Sequence, residues 1–138
     1  MNNKIIYDSG LLSLIIQLLI GLIGGIGIFI KLKKEDIILN RIIIMETIVQ
    51  FIEFLFYIWL VFSIQAKSMN VTAIRYVDWF ITTPIMLITT ILFMAYNSNE
   101  EEFKNEENII TVQSVFKKDY KLIIQFVFYN FLMLLFGF

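Results

Sequence analysis

The sequence predicts an all-α protein, a multi-span bundle of four transmembrane helices, and three observations predict it. Of its 138 residues, 59% are hydrophobic, and the mean hydropathy is positive, whereas soluble domains stay nearer half apolar. The apolar residues gather in blocks of about 20 or more, the length a helix needs to cross a hydrocarbon core of about 30 Å. Backbone groups facing lipid have no water to bond, so blocks of this kind must satisfy them internally as helices.

The first span runs roughly from Leu11 to Ile30, and Gly21, Gly24, Gly25 and Gly27 allow a neighbouring helix close contact. A basic connector follows, with Lys31, Lys33, Lys34 and Arg41 diluted by Glu35 and Asp36. The second span covers roughly Ile42 to Ile64, and a polar link from Gln65 to Asn70 holds Lys67. The third span covers roughly Ala73 to Tyr96. A hydrophilic stretch from Asn97 to Lys118 carries Glu100, Glu101, Glu102, Glu106 and Glu107, and reads as a flexible connector rather than a domain. The fourth span begins near Asp119 and is still apolar at Phe136-Gly137-Phe138, which reads as a chain stopped mid-fold. Residues 1–138 therefore form a single membrane domain with up-down topology. The N-terminus does not read as a signal peptide, because Tyr7-Asp8-Ser9-Gly10 leads straight into a long span.

Orientation follows from the basic residues. The first and third connectors hold Lys31, Lys33, Lys34, Arg41, Lys104, Lys117 and Lys118, against only Lys4 and Lys67 on the other side. The N-terminus is expected outside and the acidic stretch in the cytoplasm. With no cysteine and no histidine, thiolate or imidazole metal sites, disulfides and histidine bases are excluded. A formal net charge of −1 argues against a nucleic-acid partner. No enzyme activity is expected.

Function is sought in polar residues inside the spans, since a charge near the membrane centre costs about 2.5 kcal/mol or more. In the third span Arg75, Asp78, Thr82, Met86 and Thr89 follow in steps of three and four, which put them on one helix face. Arg75 can pair with Asp78, lowering the cost of burying both. The plainer alternative is an arginine reaching the outer interface with a surface aspartate beside it. In the second span Glu46, Gln50, Glu53 and Tyr57 form another stripe. Two carboxyls and an amide on one buried face suggest a hydrated path or proton relay; the alternative is interhelical hydrogen-bond glue. In the first span Ser9, Ser13 and Gln17 share a face, which matters only if that face meets the glutamate stripe.

Residues 75 to 84 read Arg-Tyr-Val-Asp-Trp-Phe-Ile-Thr-Thr-Pro. This resembles the third-helix signature of microbial rhodopsins, R-Y-x-D-W-x-x-T-T-P. The resemblance implies that Asp78 is the counterion of a protonated retinal Schiff base, and the proton acceptor if protons move. It implies that Arg75 tunes that carboxylate, that Trp79 lies against the polyene, and that Tyr76, Thr82, Thr83 and Met86 complete this wall. A buried cationic imine needs a fixed anion, and an aromatic face suits both polyene and cation. Asn130, Met133, Leu134 and Gly137 have the spacing of the family's fourth-helix pocket, where an Asp or Asn bonds the helix-three threonine, here Thr83, and a Met and a Gly border the retinal ring. Plain helix packing is the competing account of those four.

The family has seven helices and a retinal lysine on the seventh, in a D-x-x-x-K pattern. This chain shows four spans and no lysine in mid-helix, Lys121 lying at the start of its span. The covalent lysine is thus expected elsewhere, in C-terminal helices of a longer rhodopsin or in a partner of a truncated product. Eleven residues after the counterion, where outward proton pumps carry a carboxylic donor, stands Thr89. That threonine, with Glu46, Glu53, Ser13 and Gln17, resembles the group-1 rhodopsins of large algal viruses, regarded as light-gated cation channels. The Ile-, Asn- and Lys-rich composition fits an AT-rich viral genome. A pump, a sensor and a truncated, non-photoactive membrane subunit are the alternatives. Expected surroundings are a lipid bilayer, transported cations or protons, the remaining helices and, as an open alternative, further copies in a homo-oligomer.

Overall fold

The structure is a computed structural model and describes residues 3–66, 71–98, 103–104 and 109–137. Among the described residues the regular elements are helical: α1 (Asn3–Ile28), a 3-10 turn (Lys34–Asp36), α2 (Ile37–Ala66), α3 (Val71–Ser98) and α4 (Val112–Gly137). One isolated antiparallel bridge joins Lys104 and Ile110. All four helices are long and apolar enough to cross a membrane, so the expected all-α four-helix bundle is the fold. Packing follows chain order, α1 on α2, α2 on α3 and α3 on α4. The tightest burial lies along α2 and α3, at Val49, Ile74, Leu92 and Thr82, while α1 shows its leucines and isoleucines outward. An exposed apolar surface of that extent suits lipid rather than water.

Helix α1 starts earlier than the hydropathy suggested, so Tyr7-Asp8-Ser9-Gly10 is helical. Gly10 explains it: buried against α2, its missing Cβ would touch Val61, Ile64 and Leu60 at 3.5 to 3.8 Å. At the other end the helix stops at Ile28, before Ile30. There the chain tightens through i to i+3 bonds, Phe29 N–H to the Ile26 carbonyl at 3.1 Å and Ile30 N–H to Gly27 at 3.2 Å. Helix α2 also starts early, at Ile37, because the 3-10 turn feeds directly into it. That turn is pinned by the Tyr96 hydroxyl, which donates to Asp36 at 2.6 Å.

The stretch from 97 to 118 differs most from expectation. Helix α4 begins at Val112, and its expected start near Asp119 is instead a kink, where φ is −107° and ψ is 23°. Thr111 and Ser114 cap the helix reciprocally: the Ser114 N–H donates to the Thr111 hydroxyl at 3.2 Å, and the Thr111 N–H to the Ser114 hydroxyl at 3.0 Å. Before the cap, Phe103 and Ile110 are buried in one cluster with Ile38 and Ile42 of α2, Leu92 and Ala95 of α3 and Val115 of α4. Burying such a side chain stabilises by about 1.5–3 kcal/mol. At those residues the connector is docked. Glu100, Glu101, Glu102, Glu106 and Glu107, like Lys67, lie outside the described residues.

Candidate functional site

Part of the face predicted for α3 is buried, while Arg75 and Met86 of that face are exposed. Asp78, Thr82 and Thr89 are the buried part, aligned with Ile74 and Leu92. Pro84 withdraws a backbone donor from the helix, and the two threonines before it bond the preceding turn. Thr82 donates to the Asp78 carbonyl at 3.0 Å, and Thr83 to the Trp79 carbonyl at 2.6 Å. Asp78 lines a cavity of about 20 Å³ together with Phe56, Tyr57 and Leu60 of α2 and Ile74, Arg75 and Trp79 of α3. Its Oδ1 is buried without a hydrogen-bond partner. A buried carboxyl oxygen left in that condition demands a cation or a water.

Arg75 does not supply the cation. Its spacing allows a pair with Asp78, yet the guanidinium is exposed and rests over the Trp79 ring, 5.4 Å from the centroid. No ion pair joins the two among the described residues. A flat aromatic face competes for the arginine, because stacking there costs little desolvation.

One step round α3, Trp79 and Met86 are exposed, and Met133 of α4 is exposed as well. Of these, Trp79 lines the Asp78 cavity. Tyr76 backs Trp79, with its ring 5.5 Å from that of Trp79 at 59°. The Tyr76 hydroxyl donates to the Gly137 carbonyl. Gly137 makes room for this contact, since a Cβ would stand 3.1 Å from the Tyr76 oxygen. Across the same helix pair, Asn130 Nδ2 donates to the Thr83 hydroxyl at 2.8 Å. Asn130 is buried with Leu134, so the expected contact between fourth span and helix-three threonine is present.

The stripe on α2 and the polar face of α1 meet. Gln17 Nε2 donates to Gln50 Oε1 at 2.8 Å and to the Glu53 carboxylate. Ser13 is half-buried one turn before Gln17, while Ser9 is exposed. On its other flank the stripe meets α3, where the Thr89 hydroxyl bonds Glu46 and also reaches the Met86 carbonyl at 2.9 Å. Tyr57 closes the stripe at the Asp78 cavity. Polar groups from α1, α2 and α3 are thus gathered along one inner seam. Phe56, Leu60 and Ile74, which shape the Asp78 cavity, gave no signal in the sequence, being apolar residues in apolar spans.

The model of the bacteriorhodopsin-like protein family matches residues 10–138. The chain belongs to this family. A search of the curated proteins found no match. Membership makes the chain an integral membrane protein of a family of retinal-binding photoreceptors and ion transporters, and retinal is the chromophore the family implies. The site suits that group in two respects. Asp78 Oδ1 is a buried acceptor lacking a partner, as a cationic imine requires, and the Trp79 side chain lines the same cavity as Asp78. No lysine among the described residues is buried, and Lys121 is exposed beside the Tyr120 ring at 5.9 Å.

Proposed function

We propose that the protein is a light-gated cation channel of the kind found in the group-1 rhodopsins of large algal viruses, with its N-terminus outside the cell. The observation that carries the channel reading is the joined seam of Gln17, Gln50 and Glu53, continued by Glu46 and Thr89. Retinal, bound as a protonated imine to a lysine outside these described residues, would supply light absorption and a positive charge. Asp78 holds the compensating negative charge at its free Oδ1. Trp79, Met86, Met133 and Gly137 border the polyene, Tyr76 and Thr83 brace Trp79 and α4, and Thr82 keeps the backbone at Asp78 in place. Arg75, stacked on Trp79, guards the outer side of the carboxylate. Ser13, Gln17, Glu46, Gln50, Glu53 and Thr89 line the cation path. Carboxylates along such a path attract cations and hold water. Thr89 stands where a pump needs a carboxylic proton donor, and a hydroxyl cannot serve as that donor at neutral pH.

Currents test this reading. The full-length protein should give light-evoked currents that reverse sign with membrane voltage. Glu53→Gln keeps the shape and removes a charge, and should cut the current on the order of tenfold, equivalent to ~1.4 kcal/mol of lost cation attraction. Glu46→Gln should do less. Currents of one sign at every voltage, indifferent to both changes, would make the protein a pump and the seam a packing device.

A further inference from the structure

The polar seam ends abruptly. One turn beyond Glu46 on α2 comes Ile42, buried, and three residues beyond Thr89 on α3 comes Leu92, completely buried. From there on, the interior is a single apolar cluster of Ile38, Ile42, Leu92, Ala95 and Val115 together with Phe103 and Ile110. Those last two belong to neither spanning helix. They come from between α3 and α4, where several contacts hold the described residues. Lys104 bridges Ile110, Lys118 places its ammonium 4.2 Å from the Phe103 ring centroid, and Thr111 and Ser114 cap the helix that delivers Val115. Beside them the Tyr96 hydroxyl ties α3 to Asp36, holding the mouth of the α2–α3 seam at its width.

We infer that Phe103 and Ile110 are a hydrophobic seal, which closes the lysine-rich end of the Glu46–Thr89 seam against water and cations. The inference rests on reading that seam as a conduction path. An apolar constriction of this kind blocks ions by excluding their water, and Phe103 is the largest of the buried side chains in it. Helix geometry places Thr89 only about 4.5 Å of axial rise from Leu92, so the acid–hydroxyl pair lies immediately behind the seal. Because Phe103 and Ile110 lie outside the spanning helices, the seal is a barrier separate from the site around Asp78.

These 138 residues hold no cysteine, so, with any cysteine elsewhere in the full-length protein replaced, one introduced thiol gives a direct test. Thr89→Cys is placed behind the seal in the full-length protein, in sealed vesicles, and a cationic, membrane-impermeant thiol reagent is applied in the dark from the lysine-rich side. The thiol should be unreactive when Phe103 is present. Adding Phe103→Ala should speed labelling at least tenfold, and Ile110→Ala should do so to a smaller extent. Phe103→Leu, which keeps an apolar plug, should leave the thiol protected, and this variant separates loss of the seal from general unfolding. Fast labelling with Phe103 intact, or protection that survives both alanine changes, would overturn the inference. The labelling needs no current. A seal found in a protein whose photocurrents never reverse would leave the barrier standing and remove the channel, and reversing currents with Phe103-independent labelling would do the opposite.

Discussion

Asn130 and Thr83 meet through one hydrogen bond of 2.8 Å, and the Thr83 hydroxyl in turn donates a hydrogen bond to the Trp79 carbonyl. Each side chain therefore fixes the other, and both fix the turn that carries Trp79. Interhelical bonds of this sort in membrane proteins are worth about 0.6 kcal/mol on average. A double-mutant cycle of Asn130→Leu and Thr83→Val, read by unfolding, should give a coupling of about 0.6 kcal/mol or somewhat more. Additive single effects would mean that the two do not bond. Much at this scale was legible in advance: a buried Asp78, Thr82 and Thr89 announce themselves because polar groups in an apolar span must share a face to find partners. The partner of Arg75 was not legible. Spacing along a helix offers Asp78 and Trp79 equally, and the choice depends on how deeply the aspartate turns toward α2.

Helix α1 shows how an element's bounds escape a hydropathy reading. Tyr7-Asp8-Ser9-Gly10 looks like a polar preface, yet Gly10 packs against Leu60, Val61 and Ile64 and draws the helix back to Asn3. Gly10→Leu should overpack that contact and cost about 1–3 kcal/mol. Gly25→Leu should be neutral or stabilising, because a Cβ there meets nothing within 4 Å and leucine favours the helix. Thermal unfolding of the two variants side by side checks this, and equal losses would contradict the packing of α1 on α2. Helix α4 carries the complementary lesson. Its polar first turns are set by the Thr111–Ser114 cap and by tertiary burial of Val115, neither of which raises local hydropathy. The apolar boundary near Asp119 survives as the kink.

Across the whole molecule, two polar systems lie along the inner seam and adjoin at one residue. One is the seam of Gln17, Gln50, Glu53, Glu46 and Thr89, and the other is the Asp78 cavity with its apolar wall, the two touching at Tyr57. The family and the four-span fold were legible because lipid forces long apolar helices and because the Arg75–Pro84 signature is dense in chemically demanding residues. The meeting of α1 with α2 was only a condition in the sequence, since no helix pattern states its rotation about a neighbour. Everything proposed for light sensing depends on Asp78 being the anion that faces the chromophore, and absorption reports that anion directly. The full-length protein, reconstituted with all-trans retinal, is measured at neutral pH and after acidification, beside Asp78→Asn. Acidification should protonate Asp78 and shift the absorption to the red, because losing the anion removes ground-state stabilisation of the cation. Asp78→Asn should already show the red-shifted form at neutral pH. A spectrum unchanged by either treatment would contradict the assignment.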